Sequence, residues 1–347
     1  MINLFESFAV IALLCLLLFW RVEKVSDRRP VMNVQNTLAL RGAFSIVIVL
    51  HHLSGYVNSI TFLYPLKYCG YIVVAFFFFF SGYGLTWGLN NKSDYLRYFL
   101  IKRVLKIYLP YLLSILIYVI YGSIINKTEY GIFQILSSLI CVDSISPLGW
   151  YIGALVILYI IFFLSAKSKM HYRKMFFAVL FIFVYVVLFL LPIAEEFPRS
   201  LIGFPIGICY CLYKKKIHLF IKEKIILCIS FGIVGTAFGM VVKYLGESSD
   251  MSLVKLFGNI VSCSFAILLL IVCANRISFG NKVLLFLGGI SFEIYLYHKL
   301  FLELFYQFDL LKIHCLLFFL ITVISTVLFS CVVNLFDKMI YKALDKL

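Results

Sequence analysis

Charge is what this chain of 347 residues has least of. Only 14% of its residues are charged against 63% hydrophobic, and acids are scarcest, with 16 Asp and Glu beside 31 Lys and Arg. That balance excludes a soluble globular domain and leaves a polytopic membrane protein. No polar stretch is long enough for an appended soluble domain, and there is no internal repeat or low-complexity linker. The ten cysteines include no CxxC pair, so neither a metal nor disulfides are expected, and the thiols read as small packing residues. No basic residue precedes the first apolar run and no small-residue cleavage site follows it. That run therefore reads as a retained anchor and not a signal peptide. The net charge of +15 needs no nucleic acid, because topology and anionic lipid of the bilayer account for it.

What the chain has in abundance is apolar runs near the length that crosses a bilayer, roughly 20 residues. The expected fold is all-α and polytopic, with about eleven transmembrane helices. The spans are Asn3–Trp20, Thr37–Val57, Tyr68–Leu89, Ile107–Ile125, Gly149–Leu164 and Met175–Leu191, then Arg199–Leu212, Ile225–Tyr244, Leu253–Cys273, Val283–Glu303 and His314–Leu335. Ile132–Cys141 is too short to cross and reads as a re-entrant or interfacial piece. Eleven crossings with the amino terminus outside and the carboxy terminus cytoplasmic put 23 basic residues on the inner side and 6 on the outer. Cytoplasmic loops carry such an excess, so the split supports that orientation.

Against this background, ionisable groups inside apolar runs stand out, since each costs about 2.5–3.5 kcal/mol to insert at the bilayer centre. In LALRGAFSIVIVLHHLSGY, Arg41 and His52 are eleven residues apart, close to three helical turns, and face the same way about 16 Å apart along the axis. His51 is rotated about 80° from them. A histidine near mid-membrane can serve as a general base. The competing reading has Arg41 snorkelling to the interface and the histidines bonding neighbouring helices.

In SFEIYLYHKLF, Ser291, Tyr295 and His298 share one helical face, while Glu293 and Tyr297 share another. His52 and His298 are expected at similar depth, each about 22 Å up its helix. Glu293 can equally be a carboxyl hydrogen-bonded between helices.

YLRYFLIKRVLKIYLPY gathers Arg97, Lys102, Arg103 and Lys106 at the cytoplasmic surface. Arg103 and Lys106, at i, i+3, can clamp a phosphorylated ligand or contact anionic lipid. Pro110 is expected to bend or break the helix beyond them. Ser81, Gly82 and Gly84 interrupt a phenylalanine wall where helices can approach closely. Trp150 and Tyr151 read as an interfacial aromatic belt.

In this order, Arg41 and His52, FFFFFSGYGL, KRVLKIYLPY, LGWYIGALVILY and SFEIYLYHKL resemble the acyltransferase-3 family of integral-membrane acyltransferases. The resemblance covers nearly everything from Asn36 onward. It implies a ten-helix core over residues 36–347, with residues 1–35 adding an anchor helix and a basic cytoplasmic loop. It further implies O-acetylation in a bacterial plasma membrane, with acetyl-CoA as acyl donor and a hydroxyl of a cell-surface or exported polysaccharide as acceptor. On this likeness His52 and Arg41 are catalytic, Glu293 and His298 are further catalytic candidates, and Arg103 and Lys106 bind the donor's phosphates. The lysine at 106 stands where the family has a second arginine, which loses a bidentate fork. No counterpart of the extracytoplasmic SGNH-type domain of some members is expected. Either the chain completes the transfer or a polysaccharide-assembly partner does. The alternatives are a transporter or flippase for a glycan or lipid-linked intermediate, and a non-catalytic assembly component.

Overall fold

The structure, a computed structural model, describes residues 4–24, 32–57, 61–142, 145–169, 171–191, 197–309 and 314–344. Asn3, at the head of the first expected span, and Arg28, Arg29, Lys312 and Lys346 of the charge count lie outside them.

The elements in chain order are α1 (Leu4–Phe19), β1 (Val22–Lys24), α2 (Val34–Tyr56), a 3₁₀ turn (Tyr64–Tyr68), α3 (Gly70–Asn91), α4 (Phe99–Ile124) and α5 (Ile132–Leu139). They continue with α6 (Gly149–Lys167), α7 (Arg173–Leu190), α8 (Phe197–Ser200), α9 (Gly203–Glu223), α10 (Ile225–Ser248) and α11 (Ser252–Arg276). Last come β2 (Ile277–Phe279), α12 (Lys282–Gly289), α13 (Ser291–Gln307) and α14 (Cys315–Leu344). Among the described residues, eight helices are long and apolar enough to cross a membrane, or nine if α12 and α13 count as one bent span. The exact count of eleven is therefore not reached by length and composition. At 16 residues, α1 is about 24 Å long, short of the ~30 Å hydrocarbon core. The second half of α9 carries Lys214, Lys215 and Lys216, leaving its apolar half well under a span. The span expected over Val283–Glu303 is not continuous either: α12 and α13 meet at 79°.

The chain divides into two compact units. The first comprises Met1–Val74, Lys224–Ser230 and Leu268–Phe336. Its core is built on α2, whose Ile46, Val49, Leu50 and Leu53 pack with Val10 and Leu14 of α1, Ile294 and Leu302 of α13, and Phe318 and Phe319 of α14. α2 and α12 approach so closely that glycine is required on both sides. A Cβ on Gly42 would meet the Leu284 carbonyl oxygen at 2.2 Å, and one on Gly288 would meet that of Leu38 at 2.0 Å.

Asparagines close the ends of these helices. Asn33 Oδ1 accepts from the Asn36 N–H to cap α2, and Asn281 Oδ1 accepts from the Leu284 N–H to cap α12. The Asn281 side-chain amide also donates to the carbonyls of Leu17 and Trp20, joining α12 to the end of α1. Beside them β1 and β2 pair antiparallel, a small strand ladder that the all-α expectation did not contain. At the far end of α1, Glu6 accepts from the backbone N–H groups of Cys315 and Leu316, capping α14.

The second unit comprises Ala75–Glu223, Phe231–Ile267 and Asp337–Leu347. Phe78, Phe79 and Phe80 of α3 are fully buried, and α9 lies against that helix through Gly203 and Gly207. Gly82 makes the expected close approach, 2.2 Å from a built Cβ to the Phe204 carbonyl oxygen, whereas Gly84 faces open space. α4 continues through Pro110, so of the expected bend or break the break does not occur. The residues flanking the proline tie α4 to α5, with the Tyr108 and Tyr111 hydroxyls donating to the carbonyls of Leu139 and Ser138. α5 is the short segment set apart in the sequence, exposing Ile132, Phe133 and Leu136 on one side. Tyr151 is buried against Phe78, at 5.0 Å between ring centres, and so is core, not belt. α7 shows the surface expected of a lipid-facing helix, with Met175, Val179, Ile182, Phe183 and Leu190 exposed.

Candidate functional site

Arg41, His52, Glu293 and His298 belong to the first unit, and Arg103 and Lys106 to the second. On α2, Arg41 and His52 are both partly buried on the flank that the eleven-residue spacing gives them. The rings of His52 and His298 lie 5.0 Å apart, centre to centre, so α2 and α13 present two imidazoles at one level. His51 packs against His52 at 4.7 Å.

The hydrogen bonds of the outer two rings fix their tautomers. His51 Nδ1 lies 2.9 Å from the Leu66 carbonyl oxygen, and His298 Nδ1 lies 3.0 Å from that of Ile294. A carbonyl only accepts, so each Nδ1 carries the proton and each Nε2 presents a lone pair. His298 is 0% exposed and its Nε2 has no hydrogen-bond partner among the described residues. A basic nitrogen is thus held inside the protein beside His52, aligned by its own helix. His51 is differently placed. Its ring fills the space where a Cβ of Gly70 would stand, 2.3 Å from Nε2, so it is wedged between Leu66 and α3 as a packing group.

Glu293, one turn into α13 from the break, is 3% exposed and accepts from the Asn334 side-chain amide at 2.6 Å. This is the interhelical hydrogen bond weighed for it in the sequence, with α14 as the partner helix.

Sequence reasoning missed the face of α14 to which Asn334 belongs. Thr322, Thr326, Ser330 and Asn334 follow one another at four-residue steps, spanning about 18 Å, and all are buried. The opposite face, Leu317, Leu320, Ile324, Leu328, Val332 and Leu335, is exposed. The helix is therefore polar inward and apolar outward, the reverse of a soluble amphipathic helix. Elsewhere in the chain buried hydroxyls bond back to their own helix, as Thr86 does to Gly82, Ser165 to Ile161 and Ser262 to Gly258. Those of Thr322, Thr326 and Ser330 have no partner among the described residues. The four-step hydroxyl and amide repeat in ITVISTVLFSCVVN was the available signal.

In the second unit, one Arg103 Nη2 N–H donates to the Tyr95 hydroxyl at 3.1 Å, and the guanidinium lies over that ring at 5.8 Å. No carboxylate pairs with Arg103 among the described residues, and a guanidinium fork has five N–H donors, so its capacity for an anion is not spent. Burial pushes the Tyr95 phenol above its ordinary pKa, with Arg103 pulling it the other way, so Tyr95 stays a neutral donor and acceptor. The Lys106 ammonium sits over the Tyr341 ring at 5.4 Å, and the Tyr341 hydroxyl donates to the Lys106 carbonyl. Both cations are thus held by aromatic rings, a feature that charge spacing alone did not reveal.

A family model described as an acyltransferase domain matches residues 39–335, so it takes in α2 from its second turn, Arg41 and His52 included, and runs to the end of the inward-polar stretch of α14. No curated protein and no solved structure matches the chain. The transporter and assembly-component readings gain no support from the match. With far more than half of its length inside that model and with helices of membrane-crossing length, this multi-pass chain belongs to the acyltransferase-3 family and is a membrane acyltransferase.

Proposed function

We propose that this acyltransferase moves acetyl from acetyl-CoA to a hydroxyl of a cell-surface or exported polysaccharide, as an O-acetyltransferase of a bacterial plasma membrane. The observation that carries the reading is the His52–His298 pair, with the His298 Nε2 buried and without a hydrogen-bond partner among the described residues. His52 takes the proton of the acceptor hydroxyl as its oxygen attacks the thioester carbonyl. The C–O bond forms, the C–S bond breaks, and the proton passes to the departing thiolate, so atoms and charge balance with no metal. His298, its Nε2 lone pair unspent, stands beside His52 as a second acceptor for the proton, and Arg41 helps to hold the donor or tunes the His52 imidazole. Glu293, bonded to Asn334, holds α13 in register with α14. Arg103 and Lys106 are the proposed contacts for the donor's phosphates, with Arg103 the stronger because of its fork.

The test compares the surface glycan of the producing cell with and without the gene, by NMR of O-acetyl signals. Loss of an O-acetyl resonance on deletion, restored by the gene, is expected; an unchanged spectrum contradicts the acceptor assignment. The orientation is checked with reporter fusions. Fusions at Lys169 and Lys216 should report a cytoplasmic location and one at Lys127 an external one, and the opposite pattern reverses the topology.

A further inference from the structure

A cavity of about 450 Å³ lies wholly within the second unit, at one set of helix ends. The last turn of α7, α8, the end of α10 and the first turns of α11 enclose it. Its polar lining is Arg199, Glu247, Asp250, Ser252, Lys255 and Asn259, and apolar residues at the end of α7, in α8 and in α11 supply most of the rest. Nothing in the proposed transfer chemistry uses these residues.

Three observations say what this cavity takes. Its volume lies within the roughly 300–1,000 Å³ of small-molecule sites. Its two lining cations are matched by two lining carboxylates, so the lining carries no formal net charge, and Glu247 also pairs at 3.4 Å with Lys243, which does not line it. Asn259, 1% exposed, is among the lining residues, and its Oδ1 is buried with no partner among the described residues. A buried amide oxygen left without a donor is unfavourable, and a ligand hydroxyl entering from the cavity would supply one. Mixed donors and acceptors beside leucine suit a ring with hydroxyls at its edge and C–H bonds on its face.

We propose that this cavity binds an uncharged, hydroxyl-rich sugar segment, a part of the glycan acceptor away from the reacting hydroxyl. The assignment rests on the glycan-acylation reading above and names a site for its acceptor. The helix ends that form it lie on the side that the basic-residue count assigns to the outside, where an exported glycan would be met.

The test uses the full chain purified in detergent, with oligosaccharides released from the surface glycan of the producing cell and separated into uncharged and anionic fractions. Saturation-transfer NMR should show binding of the uncharged fraction. Asn259→Leu should weaken it at least fivefold, as should Glu247→Ala, a partly exposed position whose loss leaves the core intact. Hydrolysis of labelled acetyl-CoA without acceptor should be the same in both variants and the parent. Unchanged binding in both variants, or tighter binding of the anionic fraction, overturns the proposal. If the parent binds the sugars but transfers no acetyl, the transfer reading falls and the sugar site stands.

Discussion

At the scale of single residues, neighbours decide what each histidine can do. His51 and His52 are adjacent in sequence, yet one is wedged against Gly70 and bonded to Leu66 while the other faces His298. The spacing to Arg41 already separated them, because only His52 is an integral number of turns away. The partner of His52 was legible only as a depth match between two helices. That their rings would come within 5.0 Å depended on tertiary packing. His298→Gln keeps a polar group of similar size but removes the lone pair of an imidazole, and kcat should fall on the order of 10²-fold with KM for the donor unchanged. His51→Asn should retain transfer while lowering the thermal midpoint. Steady-state kinetics and thermal unfolding of the two variants check this, and a larger kinetic loss in His51→Asn would reverse the assignment.

At the scale of elements, the site is set by two devices that hydropathy does not encode. One is the paired glycine contact of α2 with α12, which brings the 79° break and the start of α13 against the helix that carries Arg41 and His52. The sequence shows Gly42, Gly288 and Gly289, but a glycine in an apolar run marks a break, a contact or neither, as Gly84 illustrates. The other device is the inward polar face of α14. An unpaired hydroxyl buried in the protein destabilises the fold by about 1–3 kcal/mol, so hydroxyls kept at three successive steps are held for a purpose other than stability. Thr322→Val and Thr326→Val, which delete the hydroxyl and keep the shape, should raise the thermal midpoint and lower the transfer rate. A fall in both would mean that the hydroxyls were hydrogen-bonded supports. Pro110 teaches the converse: its missing N–H and fixed φ read as a bend or a break, yet α4 continues through it.

At the scale of the whole molecule, the scarcity of charge and the recurrence of apolar runs made the membrane fold legible, and the order of five short motifs made the family legible over residues 39–335. The number of crossings was less so. α1 is shorter than a span, α9 mixes a glycine-rich apolar half with a lysine cluster, and one span is split between α12 and α13. The two-stranded ladder was invisible because three-residue strands carry no periodicity. The claim on which the rest depends is that this chain transfers acetyl through His52. Purified parent and His52→Ala protein, matched for yield and elution volume, are supplied with acetyl-labelled CoA and the surface glycan of the producing cell, and label incorporated into glycan is counted. The parent should label the glycan and the variant should fall by at least 10²-fold; equal incorporation by the two proteins would contradict the account.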